Sequence, residues 1–324
     1  MAISIMRIAY IILAHKDFQQ LYRLVLRLND SHASFIICVD KKTDEAEYLK
    51  VVASLSRLKN IHFIKNRPKV HHYYFSMVQA TIQCIEELFQ KNVSFAYAFL
   101  LSGQHYPIKT NQEIINFLQK NQGKEFINYF PLPSDVHWQD QRGGLDRIER
   151  WHFLLISKWW HIYPGKLVRR VSANLRSRFM VMPRLVGKFL FKRTFPAGFQ
   201  PYGGSQWWCL SRECLEFILE FVRNNKKFVD FFRYTLVPDE MFFQAIILNS
   251  HYKSKLVNDC LVHTKWTVEK RSHPMVMTKL DFATLSKSQK LFARKFDTDE
   301  DVEILDMIDR NLLKTDNASS PNSG

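Results

Sequence analysis

The apolar positions of this chain fall into short runs whose period switches along the sequence. Residues 7–15, RIAYIILAH, are apolar almost without interruption and rich in strand-forming side chains, the pattern of a strand buried on both faces. Residues 17–29, DFQQLYRLVLRLN, place apolar side chains at helical spacing behind an Asp suited to cap the first turn. Residues 34–42, SFIICVDKK, return to a buried strand. The alternation continues with a helix over 45–58, a strand over 61–66, a helix over 76–90 and the strand AYAFLLSG at 96–103, which ends in a turn of small residues. A short helix over 111–118 and a strand over 125–130 follow. This order predicts an α/β fold, a Rossmann-like mixed sheet flanked by helices. Ligands of such sheets bind beyond the carboxyl ends of the strands, where His15, Asp40 and the turn Ser102, Gly103, Gln104 stand. Each of these also has a plain role as a cap or turn residue.

The alternation is lost between residues 134 and 200. Within that stretch residues 166–193 carry Arg169, Arg170, Arg176, Arg178, Arg184, Lys188, Lys192 and Arg193 and no acid, interleaved with Leu, Val, Phe and Met. Two readings fit: an amphipathic segment for an anionic membrane surface, or a solvated basic face. Regular structure returns at 203–222, GGSQWWCLSRECLEFILEFV, as a turn, a strand and a Ser-capped helix. At 236–250, LVPDEMFFQAIILNS, Pro238 pushes Val237 into extended space and starts a helix that is apolar nearly all round and therefore buried. Asp239 and Glu240 fall in its first turn. The helix dipole keeps a carboxylate ionised there, as a general base requires, while one acid is enough to cap. Strand-like stretches follow at 255–266 and 291–297, and the Ser- and Asn-rich residues 314–324 read as a disordered tail. One domain over 1–313, with a basic insertion at about 134–200, is expected.

Composition narrows the partners. The formal charge of +15 implies an anionic one, whether nucleic acid, an acidic membrane or a phosphorylated substrate. Five scattered cysteines, Cys38, Cys84, Cys209, Cys214 and Cys260, lack metal-ligand spacing and suit a reducing compartment. The apolar start is too short for a membrane span and is interrupted by His15, Lys16 and Asp17.

Transfer from a nucleotide sugar needs a base for the acceptor hydroxyl, cations for the departing diphosphate and a shaped sugar pocket. Glu240 suits the first. Arg294 and Lys295, framed by Phe292 and Phe296, suit the second. Gly203, Gly204 and Ser205 before Trp207 and Trp208 allow close backbone approach to a ligand beside an aromatic wall, or a tight turn into a core strand.

In this order, AYIILAHK, FIICVDKK, YAFLLSGQHYPIKTNQEI, GSQWWCLSRE, VPDEMFFQAIILNS, the HP pair at His273 and Pro274, and LFARKFD resemble glycosyltransferase family 14 over residues 7–305. That family contains core-2/I-branching β-1,6-N-acetylglucosaminyltransferases and peptide O-xylosyltransferases. The resemblance implies a GT-A fold, a UDP-sugar donor, inversion at the anomeric carbon, a glycan or lipid-linked glycan acceptor and no required metal. It implies that Glu240 is the catalytic base and that Lys295, with Arg294, neutralises the diphosphate. Arg271 falls near a second diphosphate arginine. Asp40 and Leu13 match nucleoside-pocket positions with His15 beside them, Gln206 and Trp207 line the sugar side, and Glu149 resembles an acceptor contact.

Two departures bear on the sugar. His105 stands where the family usually has Asp, and Tyr73, Tyr74 and Phe75 replace a tryptophan-glycine pattern; both are expected to touch the donor pocket. N-acetylglucosamine is the expected sugar and xylose the alternative. The family's animal members carry a membrane anchor, which is not recognised in this sequence, so a bacterial cytoplasmic enzyme is expected, in peripheral contact with the inner membrane face and with no nucleic-acid partner. The sequons at Asn92 and Asn317 would then be unglycosylated. The competing reading from another class is a basic protein that binds nucleic acid or anionic membrane. A DxD-like run, Asp297, Thr298, Asp299, followed by Glu300 and Asp301, comes after LFARKFD, and these acids are expected to cap the terminal helix instead of holding a metal.

Overall fold

The computed structural model describes residues 6–155, 158–162, 191–266 and 274–313. Arg271, His273, the basic residues from Lys166 to Lys188 and the tail lie outside these.

Strand β1 (Ile8–Ala14) is buried throughout and is an interior strand of the main sheet. Asp17 caps helix α1 (Phe18–Leu28) by accepting from the Gln20 backbone N–H, and the helix returns the chain to β2 (Ala33–Val39). The helix α2 (Glu45–Leu55) leads to β3 (Ile61–Phe63), and α3 (Phe75–Gln90) to β4 (Tyr97–Ser102). A two-residue strand, β5 (Tyr106–Pro107), precedes α4 (Asn111–Lys120), whose capping box joins Thr110 and Glu113, and then comes β6 (Glu125–Pro131). The sheet runs β6-β9-β4-β1-β2-β3 with a further short strand beyond β6, where β9 is Tyr202–Ser211. Strands β1 to β4 are mutually parallel where they pair; β9 is antiparallel to both β4 and β6, so the sheet is mixed.

The middle stretch is not without order. A turn at Gln139–Gly144 leads into α5 (Leu145–Glu149), and β7 (Trp151–Leu155) pairs antiparallel with β8 (Lys158–Ile162). Ser211 caps α6 (Arg212–Asn224), and α7 (Lys226–Phe232) follows. The buried helix predicted from Pro238 is split. Pro238–Glu240 forms a single 3₁₀ turn, Met241 leaves helical space, and α8 (Phe242–Leu248) carries the apolar run, buried at every position. Val237 is left-handed, not extended, at φ 51°, and its N–H donates to the carbonyl of Tyr73, itself at φ 70°. A β-branched residue held there is strained, and the strain sits beside the two acids.

The expected strand over 255–266 is broken into β10 (Leu256–Val257) and β11 (Val262–Thr264). A second sheet, β11-β12-β5, forms where β12 (Phe292–Arg294) runs parallel to β11 and antiparallel to β5. After α9 (Phe282–Lys287) and β12, α10 (Glu303–Asn311) closes the chain against α1: buried Asp309 accepts from Arg23, Arg27 and Tyr106. The buried apolar side chains from Met6 to Leu313 form one contiguous core.

Candidate active site

The parallel register brings the ends of three strands to one edge. Leu13 is opposite both Cys38 and Ser102, so His15, Asp40 and Gln104 follow side by side beyond the sheet. Because β9 is antiparallel and Trp208 lies opposite Leu100, its residues Gly204 to Trp207 reach the same edge from the other direction. Here the two sheets bound a cleft of about 1860 Å³. Leu13, His15, Asp40, Gln206, Trp207, Glu240, Arg294 and Lys295 all line it, as do Tyr73, Trp138, Arg147 and Asp239.

One end of the cleft is cationic. Strand β12 delivers Arg294 and Lys295, and the peptide between them is cis. The Arg294 guanidinium lies 4.7 Å from the Trp207 ring centroid, and its Nε is buried without a hydrogen-bond partner. Burial pulls its pKa down to about 10, which still leaves it charged at neutral pH. Among the described residues no carboxylate pairs with Arg294 or Lys295 within salt-bridge distance. Two cations without counter-charge in a concave, partly dry site are prepared for an anion. Asp40 is fixed nearby: its Oδ1 accepts from the backbone N–H groups of Lys42 (2.9 Å) and Val70 (3.2 Å). Desolvation, then Lys16, lowers the pKa of His15, so it adds no charge at neutral pH.

His105 does not face the cleft. It is fully buried behind Trp207, ring centroids 4.4 Å apart, and its Nδ1 accepts from the Ser102 N–H at 3.0 Å. Burial, then Arg294, holds its pKa well below the usual range, so a neutral ring supports the Trp207 wall. Of the three aromatic departures only Tyr73 lines the cleft; Phe75 packs on Phe242 in the core.

The other end carries the two acids. Arg147, on α5, donates from Nη1 to Glu240 Oε2 at 2.8 Å. The guanidinium stacks 3.5 Å from the Trp138 ring centroid, and Nε donates to Gln141. This fixes one carboxylate oxygen of Glu240 and leaves the other for a proton. Asp239 is not the expected helix cap. Its turn has no side-chain cap, and its Oδ1 is buried without a partner. Burial first, and the neighbouring Glu240 second, push its pKa up to about 7.

The glycines before Trp207 are explained by protein packing. A Cβ on Gly204 would sit 1.9 Å from the Asn128 carbonyl oxygen, and one on Gly203 would sit 2.4 Å from the Trp138 ring.

Several expected groups lie elsewhere. Glu149 is outside the cleft lining and pairs with Arg142 and Lys192. At the end of the basic run, Arg193 is buried and donates to the carbonyls of Arg150, Tyr234 and Phe231, so it anchors the insertion and does not face a surface. Of the acids expected to cap the terminal helix, Asp301 does so, its Oδ1 accepting from the N–H of Ile304, while Asp297 pairs with Lys16. Among the described residues no three His, Cys, Asp or Glu side chains converge as a metal site, and no helix is long and apolar enough to cross a membrane. Arg147, which pairs with Glu240, and Trp138, on which Arg147 stacks, went unrecognised in the sequence. They belong to a polar stretch with no period, and the salt bridge joins residues 93 positions apart.

A model of the Core-2/I-Branching enzyme family matches residues 8–291. Among curated proteins, Xylosyltransferase 2 of Mus musculus is 26% identical over 97% of this chain and 35% of its own length. Beta-1,3-galactosyl-O-glycosyl-glycoprotein beta-1,6-N-acetylglucosaminyltransferase of Bos taurus is 25% identical over 94% of this chain and 69% of its own. Beta-glucuronosyltransferase GlcAT14A of Arabidopsis thaliana is 24% identical over 95% and 64%. The chain thus spans about a third of the mouse relative and about two thirds of the other two.

Proposed function

This chain belongs to the Core-2/I-branching enzyme family of glycosyltransferases, and from that premise we propose that it transfers one sugar from a UDP-sugar to a hydroxyl of a glycan or lipid-linked glycan acceptor. The reaction inverts the anomeric carbon and uses no metal ion. The observation that carries this reading is the cleft itself: a carboxylate held by Arg147 shares it with two cations that form no salt bridge among the described residues.

In the step this arrangement supports, Glu240 takes the acceptor O–H proton on the oxygen not held by Arg147. The acceptor oxygen bonds to the anomeric carbon from one face as the bond to the phosphate oxygen breaks on the other. The leaving electron pair goes out on UDP, whose diphosphate meets Arg294 and Lys295. Fixed cations in a desolvated cleft stabilise that charge without reorganising, the function a metal serves in other transferases. The nucleoside lies toward Leu13 and Asp40, and the sugar toward Gln206 and Trp207.

The relatives are named for xylose, N-acetylglucosamine and glucuronic acid. We favour N-acetylglucosamine, with xylose as the alternative. The basic run from Lys166 is the motive for peripheral contact with an anionic membrane, tested by comparing binding to anionic and neutral vesicles.

The transferase reading is tested in two steps. UDP and UDP-sugars are screened for protection against thermal unfolding, since a ligand of the folded state raises apparent stability. Glu240→Gln is then expected to abolish transfer while UDP affinity stays within about three-fold, because the base acts on the acceptor and not on the nucleotide. Substantial turnover by that variant would remove Glu240 from the role.

A further inference from the structure

Resting on the transferase reading, the acidic end of the cleft says which class of donor sugar is refused. Glu240 must reach the acceptor hydroxyl as it attacks the anomeric carbon, so the donor ring lies within about one ring width of that carboxylate. Asp239 is the neighbouring residue on the same turn, lines the same cleft and is 8% exposed. Three ionisable groups bear on it: Glu240 on its own turn, Arg147 from α5 and Tyr73 from the loop before α3. Only Arg147 is a cation, and its guanidinium is already engaged by Glu240, Gln141 and the face of Trp138. Among the described lysines and arginines that line the cleft, Lys42 is paired with Asp40 and Lys290 with Asp259, which leaves Arg294 and Lys295 for the two phosphates. A third carboxylate on the sugar would therefore enter beside two acids, with no lysine or arginine among the described cleft residues free to meet it.

We propose that Asp239 makes this enzyme select an uncharged donor sugar, a hexosamine or a pentose, and refuse a uronic acid. A neutral sugar meets a carboxyl that can accept from or donate to its hydroxyls. A uronate must either sit against an ionised Asp239 or force a proton onto it.

That second route limits the effect and gives it a signature. At about pH 6 Asp239 already carries its proton, and little refusal comes from it. At about pH 8 protonating it costs about ten-fold in affinity, the distance of that pH above a carboxyl titrating near 7.

The test measures dissociation constants of UDP, UDP-N-acetylglucosamine and UDP-glucuronic acid by calorimetry at about pH 6 and about pH 8. It uses the wild type, Asp239→Asn and, should the amide not fold, Asp239→Ser. Reporting each sugar relative to UDP cancels the titration of His15 and other groups on the nucleotide side. The wild type is expected to lose about ten-fold in relative affinity for UDP-glucuronic acid on going to the higher pH, with UDP-N-acetylglucosamine flat and the loss absent in the variants. Relative affinity for UDP-glucuronic acid that equals that of the neutral sugar at both pH values, or a loss that persists in the variants, overturns the role of Asp239 while UDP binding keeps the transferase reading. Absence of UDP binding overturns that reading, and this inference with it.

Discussion

Replacing Asp239 by Asn is expected to stabilise the protein at alkaline pH relative to the wild type, although the first turn of a buried helix ordinarily asks for an acid. Its folded-state pKa is raised from an ordinary 3.8 to about 7, by burial first and by Glu240 second. The folded state therefore holds this proton more tightly than the unfolded chain does. Its contribution to stability is fully present below the unfolded value and is lost as pH rises through about 7. Each ten-fold in proton affinity corresponds to about 1.4 kcal/mol, so ionising Asp239 in place costs about 4 kcal/mol above neutrality and roughly half of that at about pH 5.5. The amide brings its own hydrogen-bonding cost at this site, but that cost does not titrate. The observable is thus the change with pH: between about pH 5.5 and about pH 8 the variant gains about 2 kcal/mol on the wild type, or about 4 °C in Tm for a domain of this size. Calorimetric melting at matched ionic strength measures it. A cap lost on mutation would instead lower Tm by a constant amount, on the order of 1 kcal/mol, at every pH. Parallel curves for the two proteins would refute the burial argument and return Asp239 to the cap.

Gly204→Ala is expected to cost about 3 kcal/mol or more, because its Cβ would meet the Asn128 carbonyl at 1.9 Å across a paired strand; an unchanged urea midpoint would show that β6 and β9 can separate freely. Lys295→Ala is expected to weaken UDP binding by about ten- to a hundred-fold and to slow transfer with it, since a charge-assisted contact is worth about 1.5–3 kcal/mol. Transfer is expected to survive excess EDTA; arrest by EDTA with rescue by manganese would refute the metal-free step. Glu149→Gln is expected to leave the acceptor KM within about two-fold, because its carboxylate is engaged by Arg142 and Lys192 at the protein surface; a large rise in KM would return it to the acceptor site.

The order of strands and helices in the first half was legible in the sequence because burial on both faces writes itself as unbroken apolar runs, as in Ile8–Ala14 and Tyr97–Ser102. Local chemistry was legible too: Asp17 and Ser211 cap where their side chains reach an N–H three residues on. So was the family resemblance, since its motifs are contiguous. What periodicity could not decide is how groups far apart in the chain meet. The antiparallel insertion of β9 turns Gly204 and Trp207 to the edge where the parallel strands end, and β12 brings Arg294 and Lys295 there from the far end of the chain. Arg147 reaches Glu240 only because α5 packs beside the Pro238 turn, and no pattern within either segment marks that pairing. Asp239 and Glu240 show the division most plainly. Adjacent in sequence and alike in chemistry, they read as one cap and one base. Tertiary packing gave Glu240 a guanidinium and an open face, and gave Asp239 burial without a partner, because the dielectric around a carboxyl and the charge beside it are properties of the folded neighbourhood and not of the residue.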